Sequence, residues 1–377
     1  MNLITEGAVG VDVEGVFYNP RMRLNREIGV AMARALGIVE YLDAFSASGL
    51  RGLRLIQEAG VKDLIFNDVS HKAARLIEEN LARNGLKGEV CCKNANVLMH
   101  ERRFQAVDLD PFGTPSPFLS AASRSAEEYL FVTATDTAPL CGAHLASGIR
   151  KYMARPVKAE HHREMGARIL LGLAARELAR MDKGMEPLLT HATEHYVRTY
   201  LRAIPGARNA DTTLEKLGYL EQCPRCGSWR TIPSPASEAE GICGRCKERT
   251  LLAGPLWLGP LKMDEVLDRA IPGLPESNHA IRLMKLCRDE LDLPMYHDHH
   301  RLCRRLGIAP VRLDRLVLAL QDSGFKASRT HFSGTGLKTD ASREELEDLL
   351  VELDSKGGSD LREGNDRVAS GARLPET

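Results

Sequence analysis

The sequence predicts an α/β protein: a parallel sheet with helices on both faces, an inserted metal-binding ribbon, and a smaller α+β domain at the carboxyl end. Three observations predict it. From about Leu36 to Asp136, short apolar runs alternate with helix-like stretches, which implies parallel strands joined by crossing helices. Two Cys-x-x-Cys pairs stand between residues 223 and 246. From Lys262 onward the apolar spacing turns helical and then extended.

The elements follow in order. Tyr41 to Ser46 reads as the first strand, Gly49 to Ala59 as a helix and Leu64 to Asp68 as the second strand. His71 to Asn84 is an amphipathic helix with Ser70 as its N-cap. Glu89 to Lys93, Ala106 to Asp110 and Tyr129 to Thr135 supply three more strands. A basic loop or helix carries Arg150, Lys151, Arg155, Lys158, Arg163 and Arg168 against Glu160 and Glu164. Leu188 to Ile204 reads as one further strand. The cysteine cluster is flanked by strand-like runs, Leu217 to Glu221 and Thr250 to Leu256, as a ribbon inserted at the sheet edge. Helices are expected over Asn278 to Leu291, His297 to Leu306 and Pro310 to Ser323, then a strand over Phe325 to Phe332 and a helix over Ser342 to Asp354. These divisions give a first domain over 1–262 with its cysteine insertion at about 221–250, a winged-helix-like domain over 263–354, and a disordered tail over 355–377 rich in Gly, Ser and charge.

Composition narrows the class. The 377 residues suit two or three domains with real cores. A formal net charge of zero argues against a general nucleic-acid coat but not against a local basic face. The first ten residues lack a basic and apolar leader, and no window approaches 18 apolar residues, so neither export nor a membrane span is expected. Nine cysteines without an export signal favour a reducing cytoplasm and metal ligation over a disulfide framework.

Ser46, Asp68, Asp110 and Thr135 all fall at expected strand ends, where ligands bind in such sheets. Asp108-Leu109-Asp110-Pro111-Phe112-Gly113 ends a buried strand in a tight turn. Two readings stand: a plain strand-ending turn, or the acid, proline and ring that methylate a planar exocyclic amine. In the second, Asp110 accepts a hydrogen bond from the amine, the Phe112 ring stacks on the base, and Pro111 fixes the turn that aims both. Asp108 points to the same face as Asp110, with a loop-orienting role and a packing role equally open.

The run Asp43 to Gly52 is a strand leading into a small-residue turn and a helix, which lets a ligand approach the backbone. It is not G-x-G-x-x-G and no Walker lysine follows, so nicotinamide and nucleotide-triphosphate sites are disfavoured. Asp68 lies about 20 residues beyond the turn, where an acid holds both ribose hydroxyls of a nucleoside; the alternative is a helix-capping or loop residue. Turn and acid together suit S-adenosylmethionine, with Asn94 and Ala95 beside its adenine. Cys223, Cys226, Cys243 and Cys246 form two knuckles 16 residues apart, the spacing of a closed, structural tetrahedral zinc site. A redox Cys-x-x-Cys pair is the rival, and it leaves the second knuckle unexplained. Cys91, Cys92, Cys141, Cys287 and Cys303 lack such spacing, and His297, His299 and His300 suit a helix start better than a metal site.

Several separate stretches now agree: Phe17-Tyr18-Asn19-Pro20 with Asn25-Arg26, Ser46 to Gly52, Asp108 to Gly113, Thr133 to Asp136, and Thr330-His331-Phe332 with Lys338-Thr339-Asp340. In order, over about Glu6 to Leu353, they resemble the tRNA guanine-26 N2-dimethyltransferase family, archaeal type. The resemblance implies a class I (Rossmann-like) S-adenosylmethionine-dependent methyltransferase domain with an additional carboxyl-terminal domain. It implies that Arg26, Arg51, Asp68 and Ala95 contact S-adenosylmethionine, that Asp110 lies at the catalytic centre, and that Phe17 and Phe112 sandwich the guanine. One position departs from the pattern: Asn94 stands where an acid is expected, and it carries no charge.

The implied chemistry is orientation. Guanine N2 is a poor nucleophile and a sulfonium methyl a strong electrophile, so the two must be held in line at about 3–3.5 Å. Asp110 accepts one N2 hydrogen and the Pro111 carbonyl the other. The base must be extruded from its stack. Candidate phosphate surfaces are the Arg150 to Arg168 stretch, the zinc knuckles, and Arg301, Arg304, Arg305, Arg312 and Arg315. Two other functions remain open: an N-methyltransferase acting on another RNA or DNA base, and a non-catalytic zinc-ribbon RNA-binding protein.

Overall fold

The computed structural model describes residues 2–234, 238–274 and 279–355. It divides into two compact units, one running to Arg288 and one starting at Asp289.

The first unit opens with an antiparallel hairpin, β1 (Leu3–Glu6) and β2 (Val9–Asp12). Helix α1 (Arg23–Leu36) follows a 3-10 turn at Pro20–Met22, where the Asn19 side chain accepts from the Arg21 N–H. The central sheet contains β3 (Glu40–Asp43), β4 (Asp63–Asn67), β5 (Glu89–Cys91), β6 (Phe104–Leu109), β7 (Ala126–Ala134), β8 (Lys183–Thr193) and β9 (Tyr196–Pro205). Their order is β5-β4-β3-β6-β7-β9-β8. The first five are parallel, while β9 runs antiparallel to both β7 and β8. Val107, Leu109, Leu130 and Val132 are fully buried, as strands covered on both faces must be.

Between the strands run α2 (Leu50–Arg54), which ends in a single π-turn, α3 (His71–Asn84), α4 (Ala95–Glu101) and α5 (Ser116–Ser125). Ser70 caps α3 through its hydroxyl, as its position predicts. After β7 come α6 (Thr137–Leu140), α7 (Leu145–Tyr152) and α8 (His162–Ala179), and after β9 comes α9 (Ala207–Leu214).

Three expectations need correction. The single strand expected over Leu188 to Ile204 is the β8–β9 hairpin, turned at Glu194, whose φ is +50. Its inward residues are buried on both arms, so no alternation marks the break. The cysteine ribbon does not extend the main sheet. It is a separate three-stranded sheet of β10 (Leu217–Gln222), β11 (Trp229–Pro233) and β12 (Leu251–Trp257), ordered β11-β10-β12. It packs on α8 where Gly172 meets Leu256: a Cβ there would come within 3.1 Å of the Leu256 Cα. Third, the first unit does not end at residue 262. Helices α10 (Asp264–Ala270) and α11 (His279–Asp289) place Leu267, Ala270, Leu283 and Met284 in the core that also holds Ile28 and Met32 of α1.

The second unit is α+β. It contains β13 (His297–Asp298), α12 (His299–Leu306), α13 (Leu313–Asp322), β14 (Ala327–Thr330), β15 (Ser333–Thr339) and a last helix, α14, over residues 343–355. Leu302, Leu316, Leu320, Leu337, Leu346 and Leu350 form its own core. The tail expected to be disordered lies, from residue 356 on, outside the described residues. Among the described residues no helix is long and apolar enough to cross a membrane.

Candidate active site

A cavity of about 560 Å³ opens at the carboxyl ends of β3, β4 and β6, within the range of small-molecule sites, roughly 300–1,000 Å³. Phe17, Arg26, Ser46, Arg51, Asp68, Ala95, Asp110, Pro111 and Phe112 all line it. Asn94 does not: its side chain caps α4, accepting from the Asn96 N–H at 2.9 Å.

The turn after β3 forms the cavity wall. Gly49 precedes α2 with φ +78, and Ala47 also holds a positive φ of +49. A non-glycine residue there is strained and needs a partner to hold it. That partner is Asp68, whose Oδ2 accepts from the Ala47 N–H at 3.0 Å while Oδ1 accepts from the Ser70 N–H at 2.9 Å. A carboxylate has about four acceptor sites, so Asp68 keeps capacity for a ligand. The Ser46 hydroxyl is committed to the frame: it donates to the Asp43 carbonyl at 2.9 Å and accepts from the Asn67 N–H at 3.1 Å. Arg26 is held by two bonds to Glu6, at 2.7 and 2.6 Å, and Arg54 reaches the same carboxylate at 2.8 Å. Burial opposes ionisation of Glu6, but Arg26 foremost and then Arg54 hold its carboxyl below the usual range.

Beneath the cavity, two guanidinium groups meet three carboxylates. Asp108 is fully buried and takes a bidentate pair from the equally buried Arg198, at 2.6 and 2.8 Å, plus the Tyr41 hydroxyl. Burial alone would raise its pKa; Arg198 first and Arg51 second hold it below the usual range. Arg51 donates through Nη2 to Asp110 and stands 3.5 Å from Asp108 through Nη1. Asp43 pairs in register with Asp108 across β3 and β6. Burial foremost, and then the charges of Asp108 and Asp110, outweigh Arg51 and push its carboxyl up to about 7.

Three buried atoms in this network have no hydrogen-bond partner among the described residues: Arg51 Nη1 and Arg198 Nε, both donors, and Asp43 Oδ2, an acceptor. Of these residues Arg51 and Asp43 line the cavity. A buried donor and a buried acceptor that make no hydrogen bond, both on residues of the cavity lining, complement a zwitterionic amino-acid group, which is the methionine end of S-adenosylmethionine; Asp68 on the same lining suits its ribose. The residues present therefore fit that cofactor.

The rim is aromatic. Phe17 and Phe112 are 53% and 74% exposed yet meet edge to face with centroids 4.4 Å apart. Thr135 ties the loop in place: its hydroxyl accepts from the Gly113 N–H, and its own N–H donates to the Gly113 carbonyl, both at 2.9 Å.

In the ribbon, the sulfurs of Cys223, Cys226, Cys243 and Cys246 lie within 4.8 Å of one another. Cys223 and Cys246 are 3.5 Å apart, and Cys226 and Cys243 3.6 Å. A tetrahedron with Zn–S bonds of about 2.3 Å has edges of about 3.8 Å, so the four thiols fit zinc closely. No ligand position is left for a substrate, which makes the site structural.

The charged stretch expected to meet phosphate divides. Arg150, Arg155 and Lys158 are exposed, but Arg168 is buried and ion-paired with Glu164 at 2.9 Å, so it belongs to the core of α8. In the second unit Arg301, Arg304, Arg305, Arg312 and Arg315 are all exposed. His299 places its ring nitrogens 2.8 Å from the Thr335 carbonyl and 3.1 Å from that of Val311. Sequence reasoning missed Asp43, Glu6 and Arg198. Asp43 had a usable signal, since it ends a strand immediately before the small-residue turn; the other two reach the site only through tertiary pairing.

Residues 3–351 match the model of a family described as N2,N2-dimethylguanosine tRNA methyltransferase. A tRNA (guanine(26)-N(2))-dimethyltransferase of Methanosarcina mazei is 50% identical over 357 residues, covering 90% of this chain and 92% of that protein. One of Natronomonas pharaonis is 45% identical over 361 residues, covering 90% and 97%. The solved structure of Trm1 from Pyrococcus horikoshii with S-adenosyl-L-methionine superposes with a TM-score of 0.85 at 37% identity, covering 93% of this chain and 99% of that one. With this order of strands, this cavity and this extent of similarity, the chain belongs to the N2,N2-dimethylguanosine tRNA methyltransferase family.

Proposed function

We propose that this chain transfers methyl groups from S-adenosylmethionine to N2 of guanine 26 in tRNA, giving first N2-methyl- and then N2,N2-dimethylguanosine. The observation that carries the reading is the convergence on one cavity of Asp68 and Asp110, each just past a strand end, with Arg51 of α2. The relatives' names supply the base and its position.

When bound, S-adenosylmethionine supplies the electrophilic methyl. Arg51 Nη1 and Asp43 would hold its amino-acid end, Arg26 and Asp68 would line its flank, and Ala95 would border the adenine. Asp110 faces the target amine. Its carboxylate accepts an N2 hydrogen and turns the nitrogen lone pair outward to the donor; the methyl would leave its sulfonium, whose S–C bond breaks to give the neutral thioether, for N2, and the N2–H proton passes to Asp110. The Pro111 carbonyl accepts the second N2 hydrogen in the first transfer, and that bond is given up when the second methyl is added. Phe17 and Phe112 must part to about 7 Å, two van der Waals contacts, for a base to lie between them. Zinc in the four-cysteine site braces the ribbon. The exposed arginines of α12 and α13 meet tRNA phosphate, and a tRNA substrate sets the work in the cytoplasm.

The test is incubation with labelled S-adenosylmethionine and unmodified tRNA, then nucleoside analysis. Dimethylguanosine from wild-type tRNA and none from a transcript with adenine at position 26 is the expected result. Label in another nucleoside refutes the assignment. Full turnover by a folded Asp110→Ala variant refutes the role of Asp110, and Asp110→Asn separates its charge from its shape.

A further inference from the structure

Helix α7 presents an outward face that the methyl-transfer chemistry does not use. Leu145 and Ile149, one turn apart, are 39% and 41% exposed, and Met153 at the helix end is 68% exposed. The strip of the helix beside it is buried: Gly148 packs against Pro139 and Pro156, and Tyr152 is fully buried. Isolated exposed apolar residues need no explanation, but three along one face mark an interaction surface.

Two further observations say what covers it. From Thr137 to Ala159 the chain has four cations, Arg150, Lys151, Arg155 and Lys158, and no Asp or Glu, in a protein whose net charge is zero. Lys151 is paired to Asp136 at 2.9 Å, while Arg150, Arg155 and Lys158 are exposed. The helix is also fixed to the rim of the cavity. Tyr152 bonds both Asp136 and the Thr114 side chain. Thr114 follows the Asp110 to Gly113 loop, and Thr135, just before Asp136, is tied to Gly113.

We propose that the outer face of α7 is an RNA surface: Leu145, Ile149 and Met153 pack against the base stack beside the extruded guanine, and Arg150, Arg155 and Lys158 hold the adjoining phosphates. This rests on the reading that the cavity takes an RNA base. Extruding a base exposes the faces of its neighbours, and proteins that hold such a state insert apolar side chains between base steps and flank them with cations. The order along the chain matches: a pocket for the base, a loop that aims the acid, then an apolar ridge set in positive charge.

The test uses the full chain and an unmodified tRNA transcript. An Ile149→Ser/Met153→Ser variant is expected to lose roughly tenfold in kcat/KM for tRNA, with S-adenosylmethionine affinity by calorimetry unchanged. Arg150→Glu with Lys158→Glu is expected to flatten the salt dependence of tRNA binding by roughly one unit of log–log slope per lost phosphate contact. Unchanged kcat/KM in the apolar variant, while the parent methylates tRNA normally, overturns the RNA surface and leaves the function standing. A change in molecular mass in that variant, with full activity, assigns the face to a second copy instead. A parent that methylates no tRNA removes the reading beneath both.

Discussion

Replacing Asp43 with Asn should stabilise the cofactor-free protein, and increasingly so as pH rises. Burial pushes the folded carboxyl up to about 7 from its ordinary 3.8. Its pKa is raised on folding, so the unfolded chain releases the proton first and every pH step between about 4 and 7 favours unfolding. The folded state meets this penalty in part at pH 5, about 1.5 kcal/mol, and almost fully at pH 8, about 4 kcal/mol, taking ~1.36 kcal/mol per decade. Asparagine fills the same space and never ionises. The stability gap between variant and parent should therefore widen by roughly 2.5 kcal/mol from pH 5 to pH 8, which is about 5 °C in Tm for a unit of this size. Thermal unfolding followed by near-ultraviolet circular dichroism at both pH values measures it. A gap that stays constant, or narrows toward pH 8, refutes the claim that Asp43 is a buried acid without a cation of its own.

The Asp108–Arg198 pair should behave as a unit: Asp108→Asn or Arg198→Met alone costs roughly 3–5 kcal/mol by stranding a buried charge, while Asp108→Leu/Arg198→Met recovers much of the loss in a denaturant-unfolding cycle. Its stabilising effect is present at neutral pH and lost as pH falls through the depressed pKa of Asp108, below 3.8. Purified protein should carry one zinc per chain by metal analysis, and Cys226→Ser should lose the metal and lower Tm. Phe112→Ala should raise KM for tRNA by roughly 5- to 150-fold, the value of one base stack of about 1–3 kcal/mol, with S-adenosylmethionine affinity unchanged by calorimetry.

What was legible in the sequence is what has a local period or a fixed spacing. Helix α3 begins and ends at His71 and Asn84 because an amphipathic stripe, a serine cap and a glycine stop all lie within one stretch. The four cysteines were legible because zinc geometry dictates the spacing within each knuckle. Asp68 and Asp110 were legible because strand ends carry ligands in this class of sheet. The strand-order neighbours were not. Arg198 meets Asp108 across 90 residues of sequence and Arg26 meets Glu6 across 20; nothing near either residue records the pairing. The hairpin of β8 and β9 was merged because both arms are buried on both faces and so read as one apolar run. Helix α11 was assigned to the wrong unit because an apolar face states that a helix packs, not against what.

The division between Asp108 and Asp110 follows from distance along a strand. Two residues on, a β-strand returns a side chain to the same face, about 6.6 Å further along. At Asp108 that face is still inside the sheet, in register with Asp43 on one side and Phe131 on the other. A carboxylate there has no water, so it needs a cation, and β9 brings Arg198 to it. At Asp110 the strand has ended, the side chain is 18% exposed, and it faces the cavity. With Asp108 already neutralised by Arg198, Arg51 can give its Nη2 to Asp110 while its Nη1, 3.5 Å from Asp108, makes no hydrogen bond. Were Arg198 absent, Asp108 would draw Arg51 fully inward, and Asp110 would lose the contact that fixes its direction. The buried acid thus acts on the exposed one by claiming a different arginine. That leaves a single guanidinium between Asp110 and Asp43, so the two halves of the cavity are joined through Arg51.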